Sequence, residues 1–342
     1  MTSVRGWVIA AAVFAGAFLI WNVLAAALSA LVLLFTAILL AAGLRPAVEA
    51  ASKRMSFGAA VGAVFGATLL VIVILGFALL QPIGAELAKL VAALPGYASS
   101  LQDQFTAVQR YIESDQTARQ VASVLANSAS SAATFIAPYI ISGPKLIAEM
   151  LGNGVLILLL AVGWMLSSDD LGRFLLSLMP PHTRTDWSNT LADIGTKLSA
   201  YVQGVVLNGA VVGVVTGATL GILGVPYALL LGFIAAIFQA IPMIGGVISG
   251  IIILIVVLAT SGWTKMLIAL AVYCVVQIID NNVLSPIIFG QRVQLSFLMI
   301  ILATVIGGTV LGIAGAFLAV PAAAVLQVIM VRVVAPAIRR TH

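Results

Sequence analysis

From residue 225 to residue 260 the chain carries no charged side chain, and from 297 to 334 it carries one, Arg332. Such runs constrain the fold more than any motif. About 18–20 consecutive apolar residues cross hydrocarbon as a helix. Further apolar segments fall at about 7–21, 23–43, 57–80, 147–166, 202–223 and 266–284. Only 8% of residues are charged, against about 25% in a soluble domain, so the surface cannot be coated with water-compatible groups. The pattern predicts an all-α polytopic membrane protein with about eight transmembrane or re-entrant helices, within a range of about eight to ten.

The opening "MTSVRGWVIAAAVFAGAFLIW" resembles a signal peptide, but the apolar character continues through "LVLLFTAILLAAG" to residue 43. Two closely spaced spans account for the whole run, so residues 1–80 are read as a transmembrane hairpin plus a third span. Residues 81–146 are polar, and Leu101, Phe105, Val108 and Ile112 recur at helical spacing, which marks a small helical extramembrane insert. Residues 147–200 supply a fourth span and an amphipathic connection, in which Trp187, Leu191, Ile194 and Leu198 share a face ahead of a span beginning near Tyr201. Residues 201–334 form a second membrane half, and 335–342 a tail. Four basic sites stand out: Arg5; Arg45, Lys53 and Arg54; Arg173, Arg184 and Lys197; and Arg332, Arg339 and Arg340. Four spans before residue 167 let all of them lie on the cytoplasmic side. The insert is then extracellular, and both termini are cytoplasmic.

The net charge of +5 fits this loop bias, and no basic cluster with interleaved aromatics suggests nucleic acid. Neither a GxSxG elbow nor a GxxxxGK[ST] phosphate loop occurs, so an enzyme is not expected. His182 and His342 lie far apart in polar segments, and neither a metal site nor a cofactor is expected. Cys274 is the single cysteine, which excludes an intrachain disulfide.

Glycine repeats every four residues at Gly58, Gly62 and Gly66, at Gly209, Gly213, Gly217 and Gly221, and at Gly308 and Gly312. Such ridges let helix backbones approach closely in lipid, and packing within one protomer is the favoured reading over an oligomer contact.

Polar residues inside the apolar runs are the functional candidates. Asp280 is the only acidic residue after Asp193. Within the bilayer a carboxylate costs about 2.5–3.5 kcal/mol on insertion scales, so it is expected to meet water, a partner or a substrate. Tyr273, Gln277, Asp280 and Asn281 recur at helical spacing and share a face. Asn282 follows, and Pro286 is expected to end their helix. A structural alternative places Asp280 at the membrane edge, paired with Arg292. Pro242, beside Gly245 and Gly246, and Pro321 interrupt two other apolar runs, as re-entrant breaks or as kinks. With Gln203, Asn208 and Gln239 in the same half, these residues outline a candidate substrate pathway.

The chain resembles the AI-2E transporter family in "YVQG" at 201, "LGVPYALLLGFIAAIFQAIPMIGG" at 223–246, "NNVLSPIIFGQRV" at 281–293 and "GGTVLGIAGAFLAVPAAAVL" at 307–326. The resemblance implies a permease of the bacterial-type cytoplasmic membrane, assembled as a homo-oligomer such as a pentamer. It also implies export of a small polar solute like autoinducer-2, or else monovalent cation (sodium)–proton exchange with Asp280 as the shared site. A membrane scaffold that transports nothing is the third reading.

Overall fold

The computed structural model describes residues 2–111, 143–241, 244–289 and 295–335. Among the described residues all regular structure is helical. Helix α1 is Thr2–Ser52, α2 Phe57–Tyr111, α3 Gly143–Ser177, α4 Arg184–Ile222 and α5 Ala228–Phe238. Then come α6 at Ile244–Ile279, α7 at Ser285–Phe289 and α8 at Phe297–Ile329. Among the described residues, six helices are long and apolar enough to cross a membrane.

Two of those six are not straight rods. In α6, Gly262 adopts φ 78, ψ 179, and Tyr273 Oη donates to the Gly246 carbonyl at 2.8 Å. Along a straight helix those residues would be about 40 Å apart. The chain therefore reverses at Gly262 into two antiparallel arms, α6a (244–261) and α6b (263–279). Helix α8 does the same at Gly312, where φ is 62 and ψ −143. There a Cβ added to Gly307 would lie 2.9 Å from the Gly315 carbonyl carbon, although eight residues of straight helix span about 12 Å. Its arms are α8a (297–311) and α8b (313–329). Arms of this size reach about 22–27 Å, slightly less than the hydrocarbon thickness of about 30 Å. Counting arms gives eight apolar segments among the described residues, with α5 as a shorter ninth.

Four sequence expectations change. No turn separates 7–21 from 23–43: no glycine or proline occurs between 17 and 42, and Thr2–Ser52 is one helix. The expected hairpin is absent, and Arg5 sits about 60 Å along the helix from Arg45, at its opposite end. Likewise no boundary separates the amphipathic connection from the span near Tyr201, because one helix runs from Arg184 to Ile222. No boundary falls at residue 81 either, because α2 continues from the third span to Tyr111. Leu101, Phe105 and Val108 lie on it, and Ile112 is outside the described residues. Finally, the reversal in α8 falls at Gly312, and Pro321 is buried within the continuous helix of the second arm.

Two cores are stacked along α2. Near its start, Val61 and Phe65 pack with Ala37 and Ala41 of α1 and Ala161 and Met165 of α3. About 30 Å further on, Ile83, Leu87 and Leu90 join Leu231, Ile253 and Val257. Between them Leu70, Ile74 and Phe77 are exposed, a surface suited to lipid. The first core ends in an ion pair of Arg45 with Asp169 at 3.1 Å, and Arg332 pairs with Asp193. Three of the four basic sites are thereby tied to α3 and α4.

The reversals rest on glycine, since both conformations lie outside the regions open to residues with a Cβ. Gly262→Ala and Gly312→Ala should each lower stability by about 1–3 kcal/mol, seen as earlier melting of the purified protein in detergent. Gly58→Ala, with nothing within 4 Å of its added Cβ, should melt like the parent. Equal melting in all three would show that neither helix turns back on itself.

Candidate functional site

The C-terminal half is organised by backbone contact between α4 and α5. A Cβ on Gly213 would lie 2.9 Å from the Gly232 carbonyl oxygen, and one on Gly209 2.7 Å from that of Ala236. Gly217 also faces Gly232, and Gly221 lies near Ala228. This ridge packs against α5 within the protomer, as close helix approach in lipid requires. The other two ridges behave differently. Among the described residues nothing lies within 4 Å of a Cβ at Gly58, Gly62 or Gly66. Gly308 and Gly312 do not act as a pair, because Gly312 is the turn of α8 and Gly307 with Gly315 makes its close contact.

Helix α5 ends at Phe238, and Gln239 caps its C-terminus. A short break precedes α6a at Ile244; Pro242 falls within it, outside the described residues. Tyr201 of α4 donates to the Ala240 carbonyl of this break at 3.4 Å. Opposite lies one face of α6b. Tyr273 contacts the open side of Gly250 and shares its hydroxyl with Ser249 at 2.8 Å. Gln277 occupies the space beside Gly246 and donates to Tyr273 at 3.0 Å. Ser249 also donates to the Gly245 carbonyl at 2.8 Å, while a Cβ on Gly245 would meet the backbone of Phe238. Gly246 and Gly250 are thus empty seats for polar side chains of the facing arm, and Gly245 admits the backbone of α5.

Next along that face is Asp280, 2% exposed. Gln239 donates its amide to Oδ2 of Asp280, Ser285 donates its hydroxyl to Oδ1 at 3.3 Å, and the side chain of Asn208 reaches the same carboxylate. All three partners are neutral. Arg292, the expected partner at a membrane edge, lies outside the described residues. Two further acceptors, Asn208 Oδ1 and Gln239 Oε1, are buried here without partners among the described residues. A carboxylate and two free amide oxygens make this cluster rich in acceptors. Among the described residues no three of His, Cys, Asp and Glu converge.

Proline shapes the cluster without ending the helix. Residues Asp280–Leu284 form a π-helical turn, and helix α7 continues through Pro286. An α-helical Pro286 would press its ring on the Asn282 carbonyl. Widening the turn relieves this, and the Ser285 N–H instead donates to the Asp280 carbonyl five residues back. The extra residue brings the Ser285 hydroxyl over the carboxylate. A second π turn, Met330–Val334, stands at the same offset from Pro336 in the sequence.

Not every candidate joins the cluster. Gln203 donates to the Gly43 carbonyl at 2.9 Å, tying α4 to α1. Asn281 and Asn282 are exposed, and Asn282 donates back to Ile278 at 2.8 Å. Pro321 is buried on α8b. Ser285, Ser249 and Tyr201 were missed; their chemistry is common, and only the fold sets it beside Asp280. A fourth omission is Glu86, whose Oε2 accepts the Leu230 N–H at 2.8 Å.

The sequence profile of the AI-2E family transporter matches residues 8–335. YrrI and YueF of Bacillus subtilis, named only as candidate transport proteins, are 34% identical over 154 residues and 36% identical over 157. These alignments cover 45% and 46% of this chain and 43% and 42% of the relatives. The AI-2 transport protein TqsA of Escherichia coli K12 is 32% identical over 118 residues, 34% of either chain. The chain thus spans less than half the length of the curated relatives it matches.

Gln239 should matter through the carboxylate it serves. Gln239→Leu leaves a buried acceptor short of a donor and should cost about 1–3 kcal/mol, lowering the melting temperature in detergent. Gln239→Glu should cost more, by setting a second carboxylate beside the first. Parent-like melting of both variants would place Asp280 in bulk water.

Proposed function

The chain belongs to the AI-2E transporter family, and from that premise we propose that it exports a small, hydroxyl-rich solute such as autoinducer-2 past Asp280, Gln239 and Asn208. The observation that carries this reading is the position of the cluster. Asn208 stands about 22 Å along α4 from Asp193 and about 21 Å from Ile222. One end of that interval holds the Asp193–Arg332 pair; at the other, Lys265 donates to the Gly224 carbonyl at 3.1 Å. The interval compares with a bilayer thickness of about 40–45 Å including headgroups, so the cluster falls near the middle. A broken helix and short hairpin arms meet there, the arrangement by which transporters expose polar backbone and side chains to a solute.

Unpaired acceptors favour a ligand that brings donors. Hydroxyls fit that demand, whereas an anion meets only repulsion from Asp280. The end bearing Arg45, Arg173 and Arg332 is assigned to the cytoplasm by its positive charge. Sodium–proton exchange is the second reading, favoured by one feature: the Asp280 carboxylate has no cationic partner among the described residues, so it is free to trade a proton for a cation.

Asp280→Asn separates the two. The amide keeps size and one acceptor, so the protein should fold, and flux of labelled autoinducer-2 into proteoliposomes should fall by no more than about tenfold, about 1.4 kcal/mol. Sodium gradients should drive no pH change in parent or variant. A sodium-driven pH change in the parent that Asp280→Asn abolishes would overturn solute export in favour of exchange.

A further inference from the structure

Helix α5 is unusual at both ends. It is only 11 residues long, about 16 Å, and its far end delivers Gln239 to Asp280. At its near end the capping residue is Tyr227, with φ 63 and no side-chain cap hydrogen bond. Tyr227 is the only residue other than glycine with positive φ among the described residues. Such a conformation persists only where its surroundings impose it. The first N–H groups of a helix need acceptors, which a Ser, Thr, Asp or Asn cap normally supplies to the second or third residue. Here the third residue, Leu230, donates to Glu86, 144 positions earlier on α2. The carboxylate also lies at the positive end of the helix dipole. Beside it Ile83, Leu87 and Leu90 of α2 pack into the core that contains Leu230 and Leu231.

We propose that Glu86 is a positioning residue for the Asp280 site: by capping α5 from α2, it fixes the height at which Gln239 meets the carboxylate. The glycine contacts and the packing of Leu230 and Leu231 seat α5 against its neighbours, and the Glu86 bond sets the axial height of its N-terminal end. The polar stretch of α2 beyond the third span is thereby coupled to the centre of the membrane half. This inference rests on the Asp280 cluster being the transport site, and its test includes a measurement that needs no substrate.

Hydrogen exchange on the protein in nanodiscs supplies that measurement. Glu86→Ala should raise exchange over 228–238 and also over 278–286, while residues 37–65 and 157–165 keep the parent rate. Glu86→Asp, or Glu86→Gln if Glu86→Ala does not fold, should give the same pattern with smaller amplitude. Faster exchange confined to 228–231 would reduce Glu86 to a local cap and overturn the proposal. Autoinducer-2 flux supplies the second arm. Glu86→Ala should lower it at least threefold, and Glu86→Ala added to Gln239→Ala should cost nothing beyond Gln239→Ala alone, because the two act in series. Additive losses would overturn the coupling. If exchange responds at 278–286 but the parent carries no autoinducer-2, positioning stands and the assigned solute falls.

Discussion

Contact between the backbones of α4 and α5 governs the rest of the C-terminal half. Gly209, Gly213 and Gly217 meet Gly232 and Ala236 with no room for a Cβ. In lipid no hydrophobic force drives helices together, so such contacts must hold by dispersion over closely fitted backbone. Because α5 lies flush on α4, its C-terminus emerges beside Asn208, and Gln239 can reach Asp280. A helix held 2 Å further off would leave that carboxylate without its amide.

Backbone hydrogen bonding imposes the second constraint. Where the polypeptide reverses or breaks within an apolar setting, each freed N–H and C=O needs a new partner. The structure answers locally. Glu86 accepts from Leu230, Tyr201 donates to Ala240, and Tyr273 donates to Gly246. At Pro286 the widened turn restores a bond from Ser285 to Asp280. Most of these partners come from other helices, so the breaks are properties of the assembly rather than of their own segments. Tyr201 and Tyr273 satisfy the backbone beside the Asp280 cluster, and Glu86 does so at the opposite end of α5.

Much of this was legible in advance where one physical scale dominates. The transfer cost of charge into hydrocarbon marks the apolar arms, and the lone carboxylate stands out for the same reason. Helical period puts Tyr273, Gln277, Asp280 and Asn281 on one face; the first three meet the facing segment in that order, whereas Asn281 is exposed. Periodicity could not reveal reversal at Gly262 or Gly312, because a glycine within an apolar run reads equally well as packing. Proline is a poor guide at Pro286, where the helix continues, and the reversal of α8 lies at Gly312 instead of Pro321. Removing a donor is costly only if the turn cannot widen or a neighbour cannot compensate. At the N-terminus, absence of any breaker between 17 and 42 was the better guide, and it favours one long α1.

By itself the sequence determined that this is a helical membrane protein, that polar side chains such as Asn208, Gln239 and Gln277 interrupt the apolar runs of its second half, and that Asp280 is the residue to explain. Those conclusions follow from composition and spacing, which depend on the solvent around each segment and on the geometry of a single helix. Only the tertiary structure decided which polar groups meet. Gln203 turns to Gly43, whereas Gln239 turns to Asp280, though both are glutamines in apolar surroundings. Glu86, written into a polar stretch far up the chain, ends at the head of α5. Hydrogen bonds are short-ranged and directional, so their partners are fixed by helix packing to within an ångström, which no one-dimensional pattern records.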